Sequence, residues 1–383
     1  MNNTLKTLIK YTAAAVFLGC SSHGAFAEIT LIKQAPEAGD PLSRLNFTVG
    51  GSIRPQVLNL SKGDKGSYKR NGYDGGTRFR FTSDYYLFDD ISWISYYELG
   101  VDFPRVFKWD NHYQKGTTHT TRRMLFTGLK SDTWGTLTFG KQNSVYYDIV
   151  GVKTDIWDYD MLGQAPGNGI NGDYDGSYMS RNMLKYKKSI GDADIYAAYL
   201  FNDNLNLNNG LHYKRRGGGS LGIDYHFTKD FTWGAAWNYT RADMRVNNSS
   251  KDKTYDQNIV GTSLSWTPNN WTFSVGGGWY QNFLQNMRGD RNIDKYFADD
   301  AWGIEYYAGY SFPIGQYAVQ AIQPYFMGDR LEYLNGRNYK RIDNGVGVNL
   351  KLDYGFSVQY EHVFTSSTDH QGDANLVRVV YDF

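Results

Sequence analysis

The chain has 383 residues, 41% of them hydrophobic, with 40 basic and 39 acidic side chains and a formal net charge of +1. This balance creates no overall field that would attract nucleic acid, so nucleic acid is not a predicted partner. The mean hydropathy is −0.56, and no apolar run of about 18 residues follows the N-terminal segment, which excludes a bundle of membrane-spanning helices. A membrane β-barrel remains possible, because alternating strands dilute the hydropathy.

The N-terminal segment has the pattern of a secretory signal peptide. Lys6 and Lys10 precede a short apolar stretch, and an A-x-A cleavage site follows at residues 25–27. A segment of this kind is too short to cross a membrane as a helix and is removed on export. We therefore expect a cleaved signal at residues 1–27 and one folded unit at residues 28–383.

The single cysteine, Cys20, lies in this N-terminal segment. A lipoprotein signal around Cys20 is the alternative interpretation, but the A-x-A site fits a cleaved signal better. Cleavage would leave a chain without thiolates, which excludes thiolate metal sites. The sequence also contains no phosphate-binding loop or nucleotide fingerprint, so we predict no cofactor and no metal.

Apolar residues alternate with small or polar residues over most of the remaining chain. In the stretch 271–279, tryptophan, phenylalanine and valine alternate with threonine, serine and glycine, and the same period recurs at 231–239 and 354–360. Aromatic residues such as Trp271 and Trp279 stand at the ends of the apolar rows. This arrangement is typical of strands that face lipid on one side and water on the other.

Sixteen such strands can be placed along the chain. They lie near residues 45–57, 76–86, 90–103, 119–130, 134–142, 180–188, 191–201, 216–227, 230–241, 256–267, 270–282, 300–312, 317–328, 342–351, 354–364 and 373–383. Their connectors alternate between tight turns and long polar loops, as in outer-membrane barrels. We therefore predict an all-β fold, a transmembrane antiparallel β-barrel of 16 strands with long outer loops. A stack of soluble β domains is the alternative.

One connector, about residues 143–179, has neither a strand pattern nor a long helical stripe. It is rich in glycine and aspartate and includes Asp155, Asp158 and Asp160. A structureless connection of this length inside a compact domain is usually functional or disordered. We expect it to fold inward and narrow the channel.

Arginines lie on the face of the second predicted strand that should point into the barrel. Arg78 and Arg80 alternate with Phe79 and Phe81. An arginine facing lipid near the midplane would cost about 2–4 kcal/mol, so the phenylalanines are expected to face lipid and the arginines the lumen. Such charges can set the selectivity of a pore, or can simply be solvated lumen charges without a selective role.

Several local sequences resemble those of the general porins of enterobacterial outer membranes. The similar stretches are the processing junction at 25–29, RMLFTGLK at 123–130, WGTLTFGK at 134–141 and the ending VVYDF at 379–383. The likeness in layout covers the whole mature chain, and the likeness in residues is clear mainly over 78–181 and at the C-terminus.

The resemblance implies a homotrimeric channel in the Gram-negative outer membrane for passive diffusion of small hydrophilic solutes and ions. It also implies membrane lipid and the barrel assembly machinery as partners, with Phe383 as the C-terminal assembly signal. The third outer loop would fold inward and face a basic wall. Carried over by position, Arg78, Arg123 and Arg181 match the basic wall, and Asp155 matches an acid of the loop. Arg80, on the same strand face as Arg78, is added to the basic wall from the alternation, and Asp158 and Asp160 are the candidates for the second acid of the loop. The loop tip departs from the family pattern, because Pro-Glu-Phe-Gly-Gly is absent.

Two other functions fit parts of the sequence. A sugar-specific porin would use loop aromatics such as Trp157 and Tyr159 as stacking platforms, although such residues more often pack a loop against its wall. A barrel enzyme would need catalytic groups, but the histidines show no diagnostic spacing to serine or aspartate. We therefore predict a channel, without catalytic residues, rather than an enzyme or an adhesin.

Overall fold

The computed structural model describes most of the chain beyond the predicted signal segment, which lies outside the described residues. The described residues are 28–35, 39–63, 66–106, 120–157, 159, 162–206, 210–246, 252–286, 293–335 and 339–383, without the side chains of 62–73, 104–105 and 246.

The described residues form strands with short helical turns between some of them. The strands are β1 Ile29–Ile32, β2 Leu45–Ile53, β3 Pro55–Gly63, β4 Gly66–Asp74, β5 Arg78–Phe88, β6 Ile91–Val101, β7 Thr120–Ser131, β8 Gly135–Asn143, β9 Met179–Ile190, β10 Ala193–Leu200, β11 Asp203–Asn206, β12 Leu211–Thr228, β13 Phe231–Val246, β14 Asp252–Trp266, β15 Trp271–Gln281, β16 Asp300–Tyr310, β17 Phe312–Gln316, β18 Val319–Tyr333, β19 Lys340–Leu352, β20 Phe356–Ser367 and β21 Ala374–Asp382. The α-helical turns are α1 Phe103–Val106, α2 Val152–Thr154, α3 Ala165–Asn168 and α4 Gly172–Asp175. A π-helical turn spans Tyr147–Gly151, and 3₁₀ turns span Pro41–Arg44, Ile293–Lys295 and Asp353–Gly355.

Sixteen of these strands close into one antiparallel ring, in the order β2, β5 to β10, β12 to β16 and β18 to β21. The ring closes where β21 pairs with β2, with Ser52 opposite Asp382 and Ile53 opposite Tyr381. The strand β1 pairs with β2 beyond this seam, with Ile29 opposite Val49. The prediction of a 16-stranded barrel is confirmed. Closure leaves no open sheet edge, which lipid would not tolerate.

The predicted strand positions are close to the observed ones, but several strands are longer than predicted. The strand β13 reaches Val246 and β14 begins at Asp252, so most of the polar stretch 242–255, predicted as a loop, is strand. Similarly, β3 and β4 pair as a hairpin within the predicted loop 58–75. Ala242 and Met244 alternate with Asp243 and Arg245 at the end of β13, so the period of two continues there, although the stretch as a whole is polar.

The two faces of the barrel wall differ in chemistry. Large apolar side chains on the outer face remain exposed, including Leu221 (56%), Phe139 (48%) and Val260 (46%). Aromatic pairs border this surface at two heights, with Trp279 opposite Trp302 at one and Trp271 opposite Tyr310 at the other. An apolar band between aromatic girdles is the outer surface of a membrane barrel. Within the described part of the chain, no helix is both long and apolar enough to cross a membrane.

The apolar band allows a test of the orientation of the wall. Ile195 is 41% exposed on the outer face. Ile195 pairs with Ile223 on β12, and Ile223 pairs with Ala235 on β13. Ala235 stands midway between the aromatic residues Phe231 and Tyr239 of β13. We expect Ile195→Arg to destabilise the barrel by about 2–4 kcal/mol, because the charge would enter the hydrocarbon region. Denaturant titration of the chain folded into lipid vesicles measures this change.

The matched control places the same side chain outside the hydrocarbon region. Asp192 is an exposed residue in the turn between β9 and β10, and Asp192→Arg should change stability by only about 0.5 kcal/mol or less. Equal effects of the two substitutions would contradict the orientation of β10.

Candidate functional site

The segment that joins β8 to β9, residues 144–178, lies against the inner face of the barrel in its described parts, which are 144–157, 159 and 162–178. Its first turn places Val145, Tyr146, Ile149 and Val150 among the fully buried residues, each with an exposed fraction of 0%. These side chains form one apolar cluster with inward-facing residues of the wall. The wall residues of this cluster include Tyr196, Ala236, Ile259, Tyr280 and Ala301. We call residues 144–178 the inner segment.

Glycines on the inner face leave the space that the inner segment occupies. A Cβ atom at Gly222 would lie 2.3 Å from Ile149 Cδ1, and one at Gly303 would lie 1.8 Å from the carbonyl oxygen of Gly163. Side chains at these positions would therefore displace the segment. Glycines at these inward-facing positions therefore make room for the contact between the inner segment and the wall.

Hydrogen bonds fix the backbone of the inner segment to the wall. Ser263 Oγ donates to the carbonyl oxygen of Ile149 at 2.7 Å, and the Tyr280 hydroxyl donates to that of Gly163 at 2.9 Å. The amide of Gly163 donates to Glu305 Oε1 at 3.2 Å. These bonds satisfy backbone groups that burial would otherwise leave unpaired.

Two ion pairs link the beginning of the inner segment to the wall. Lys153 Nζ lies 2.6 Å from Asp224 Oδ1, and Lys185 Nζ lies 2.6 Å from Asp148 Oδ2. Burial lowers the pKa of Lys153, although the facing Asp224 carboxylate acts in the opposite direction. Both pairs are largely buried, so removal of one partner would leave an uncompensated charge.

Beyond α2, the inner segment covers a row of carboxylates on the wall. Glu305 lies directly opposite Asp329, and Asp329 lies directly opposite Asp343, on three neighbouring strands. All three are 0% exposed, and Glu361 on the next strand is 1% exposed. Arg341 Nε donates to Asp343 Oδ2 at 2.6 Å. We call Glu305, Asp329, Asp343 and Glu361 the acidic row.

The tip of the inner segment is bound to the end of this row. The amide of Tyr159 donates to Glu361 Oε2 at 3.2 Å. The Tyr159 hydroxyl accepts hydrogen bonds from Arg341 Nη2 at 3.2 Å and from Gln371 Nε2 at 3.0 Å. Trp157 is 4% exposed and packs in a cluster that includes Tyr307. This burial disagrees with the predicted use of Trp157 and Tyr159 as stacking platforms, because apolar packing and hydrogen bonds occupy them.

Three of the four predicted basic residues meet on the wall around one carboxylate. Arg123 Nε lies 2.6 Å from Glu98 Oε1, and Arg80 Nε lies 3.3 Å from Glu98 Oε2. Arg78 lies within electrostatic range of the same carboxylate. The Tyr96 hydroxyl also donates to Glu98, at 2.9 Å. The cluster holds the guanidinium groups at fixed positions on β5 and β7.

A fourth guanidinium, that of Arg54, joins this cluster and was not predicted. Arg54 stands between β2 and β3, where its Nε donates to Ser52 Oγ at 2.6 Å and its Nη2 lies 4.0 Å from Asp382 Oδ1. Arg78 lies within electrostatic range of it. Sequence reasoning also missed Glu98. Both residues stand at inward-facing positions of predicted strands, so the alternation of the strands could have identified them as lumen charges. We call Arg54, Arg78, Arg80 and Arg123 the arginine wall.

Lys141 lies within electrostatic range of both Arg123 and Arg181, but Arg181 stands apart from the Glu98 cluster. Its Nε lies 3.2 Å from Asp203 Oδ2 on β11, and its Nη1 donates to the Tyr174 hydroxyl at 2.5 Å. The Tyr174 ring also lies 4.7 Å from the guanidinium carbon. Because β9 begins at Met179, Arg181 stands close to the loop end of that strand, beside the acid of β11.

Of the three predicted acids of the loop, only Asp155 is among the described residues. Asp155 accepts a hydrogen bond from the Tyr147 hydroxyl and lies within electrostatic range of Arg54. The inner segment therefore brings the Asp155 carboxylate within electrostatic range of the arginine wall. Asp158 and Asp160 lie outside the described residues.

Phe383, the predicted assembly signal, stands at the seam of the barrel. Its carbonyl oxygen accepts from the amide of Gly51 at 2.7 Å, and its own amide donates to Gly51 at 3.1 Å. Its ring packs against Tyr381 and Phe79, with centroid distances of 5.6 Å and 5.8 Å.

A closed barrel with an apolar outer band and a charged interior defines a membrane channel of the outer-membrane class. The model of the Gram-negative porin family matches residues 12–321, and the chain belongs to this family. It is therefore an outer-membrane protein that forms a channel for the diffusion of small solutes.

Known proteins resemble the chain over most of its length. Outer membrane porin C 2 of Shigella flexneri is 25% identical over 349 residues, which cover 84% of this chain and 86% of the relative. The structure of OmpF from Salmonella typhi in complex with daunomycin aligns with a TM-score of 0.66, at 16% identity over 89% of this chain and 98% of that chain. The trimer form of OmpT from Vibrio cholerae aligns with a TM-score of 0.60, at 15% identity over 88% and 99%. The two structural likenesses show the fold.

The contact between Gly163 and Gly303 can be tested by substitution. A Cβ atom at Gly303 would lie 1.8 Å from the Gly163 carbonyl oxygen, so Gly303→Ala should push this part of the inner segment from the wall. We expect a changed single-channel conductance and more frequent current fluctuations, because the hydrogen bonds of Gly163 would be lost.

The control is Gly219→Ala, where the nearest atom to an added Cβ is 3.5 Å away. Heat-dependent electrophoretic mobility would verify that both variants form closed barrels. A Gly303→Ala channel identical to wild type would contradict the placement of the inner segment.

Proposed function

We propose that residues 143–179 form the constriction of the channel and that solutes pass between this loop and the arginine wall. The observation that carries the proposal is the attachment of the inner segment to the inner face, from Ile149 to Tyr159. A segment bound there takes up part of the cross-section of the barrel. The arginine wall lies on other strands of the ring, and Tyr178 at the end of the inner segment contacts Arg123 there.

The proposed mechanism is passive diffusion through water. Guanidinium groups on one side, and Asp155 on the loop with Asp158 and Asp160 as further candidates, create a transverse field across a narrow passage. Such a field orders water and aligns dipolar solutes, and an apolar solute must disturb this order to pass. Charged groups at a constriction also set the preference for ions.

We further propose that the protein acts as a homotrimer in contact with outer-membrane lipid, as a channel without catalytic activity. The solved trimer form of Vibrio cholerae OmpT, which has the same fold, supports the trimer. The position of Phe383 at the seam supports its recognition by the barrel assembly machinery, because closure of the ring brings this residue to Gly51.

Arg123→Ala tests the proposed position of the arginine wall. The substitution removes volume and one positive charge from the passage, so we expect a larger conductance and a reversal potential shifted toward cations. The shift should be largest at 0.1 M salt and small at 1 M, because the screening length falls from roughly 10 Å to roughly 3 Å. Measurements on single channels in a planar bilayer at both concentrations test this expectation.

Arg245→Ala is a matched control, because Arg245 pairs with Asp252 near the loop end of the wall and its side chain is 52% exposed. Its conductance and reversal potential should equal those of wild type. An unchanged reversal potential in Arg123→Ala at both salt concentrations would show that Arg123 does not line the passage.

A further inference from the structure

The charged side chains on the two sides of the proposed passage differ in their exposure to water. The side chains of Arg54, Arg80 and Arg123 are 15%, 13% and 21% exposed, whereas Glu98, the carboxylate that joins them, is only 2% exposed. These arginine side chains are therefore more exposed than Glu98, whereas Asp382, the other acid beside Arg54, is 26% exposed.

The part of the wall beneath the inner segment has the reverse arrangement. The acidic row lies beneath the inner segment, with exposed fractions of 0% or 1% for its four carboxylates. The amides of Gly163 and Tyr159 bind Glu305 and Glu361 directly. The protein covers these carboxylates on the side of the passage. A covered carboxylate that is neutralised by hydrogen-bond donors or by a proton contributes little to the electric field that a solute meets.

From this asymmetry we infer that the channel prefers anions, and that the arginine wall is a transient binding site for small oxyanions that carry phosphate or carboxylate groups. The inference rests on the proposed passage between the inner segment and the arginine wall. Asp382 and Asp155 lie near Arg54 and offset part of its charge. Among the described residues, these two acids and Glu98 supply three carboxylates to the four guanidinium groups of the arginine wall, so positive charge is in excess within this cluster.

The chemistry of the arginine wall suits oxyanions. A guanidinium group is planar, stays charged at any physiological pH and presents paired N–H donors that match phosphate and carboxylate oxygens. The Nε atoms of Arg54, Arg80 and Arg123 bind Ser52 or Glu98. These bonds orient the groups before a solute arrives, which lowers the entropic cost of binding it.

The reversal potential of the refolded mature chain in a potassium chloride gradient tests this inference directly. We expect chloride to be more permeant than potassium, and millimolar inorganic phosphate to reduce the chloride current. Arg80→Gln and Arg123→Gln should each lower the chloride-to-potassium permeability ratio by roughly two- to fivefold at 0.1 M salt, as expected for one partly screened charge. The phosphate block should weaken in the same variants.

Two control variants separate this inference from a general effect of charge. Arg241→Gln, on the outer face with a side chain 58% exposed, should leave the permeability ratio unchanged. Asp329→Asn, in the covered acidic row, should also leave it unchanged. A shift toward anions in Asp329→Asn would show that the acidic row faces the passage and would overturn the inference.

The outcomes also distinguish this inference from the proposed function. A wild-type channel that prefers potassium, but whose conductance responds to Arg123→Gln, would overturn the anion preference alone. If the Arg80→Gln, Arg123→Gln and Gly303→Ala variants all had the conductance and selectivity of wild type, the proposed passage itself would be wrong.

Discussion

Closure of the wall is the constraint on which the rest of the structure depends. Strands in lipid must pair all of their backbone groups within the protein, so the ring must close where β21 meets β2. Sixteen strands enclose more space than their own inward side chains fill. The inner segment occupies part of this space, and glycines such as Gly222 and Gly303 allow its backbone to approach the wall. The fold of the loop is thus determined by the inner surface of the ring.

This attachment also separates the charges of the interior. The inner segment lies on the acidic row and binds it through the amides of Gly163 and Tyr159. The arginine wall lies elsewhere on the ring, organised by the buried carboxylate of Glu98. A chain whose net charge is close to zero can in this way present an uneven distribution of charge to a solute. The net charge alone therefore predicts little about selectivity.

The sequence predicted the wall well and the interior only in part. Alternation with a period of two identified the sixteen strands, because the lipid-facing side of each strand must be apolar. The same alternation placed Arg78 and Arg80 on the inner face. It could not show that Glu98 joins Arg80 to Arg123, since that contact depends on the register of three strands. It also could not show that Arg181 pairs with Asp203, because β11 has too few residues for a period to be recognised.

The accessibility of single cysteines to a water-soluble thiol reagent measures whether the inner segment covers the acidic row and leaves the arginine wall open to the lumen. Cys20, the only cysteine, lies in the segment predicted to be removed, so the mature chain offers no competing thiol. We expect Arg78→Cys to react readily in the folded channel and to lower its conductance, and Asp329→Cys to react far more slowly. Equal reaction rates at the two positions would contradict this expectation, because the acidic row would then be open to the lumen.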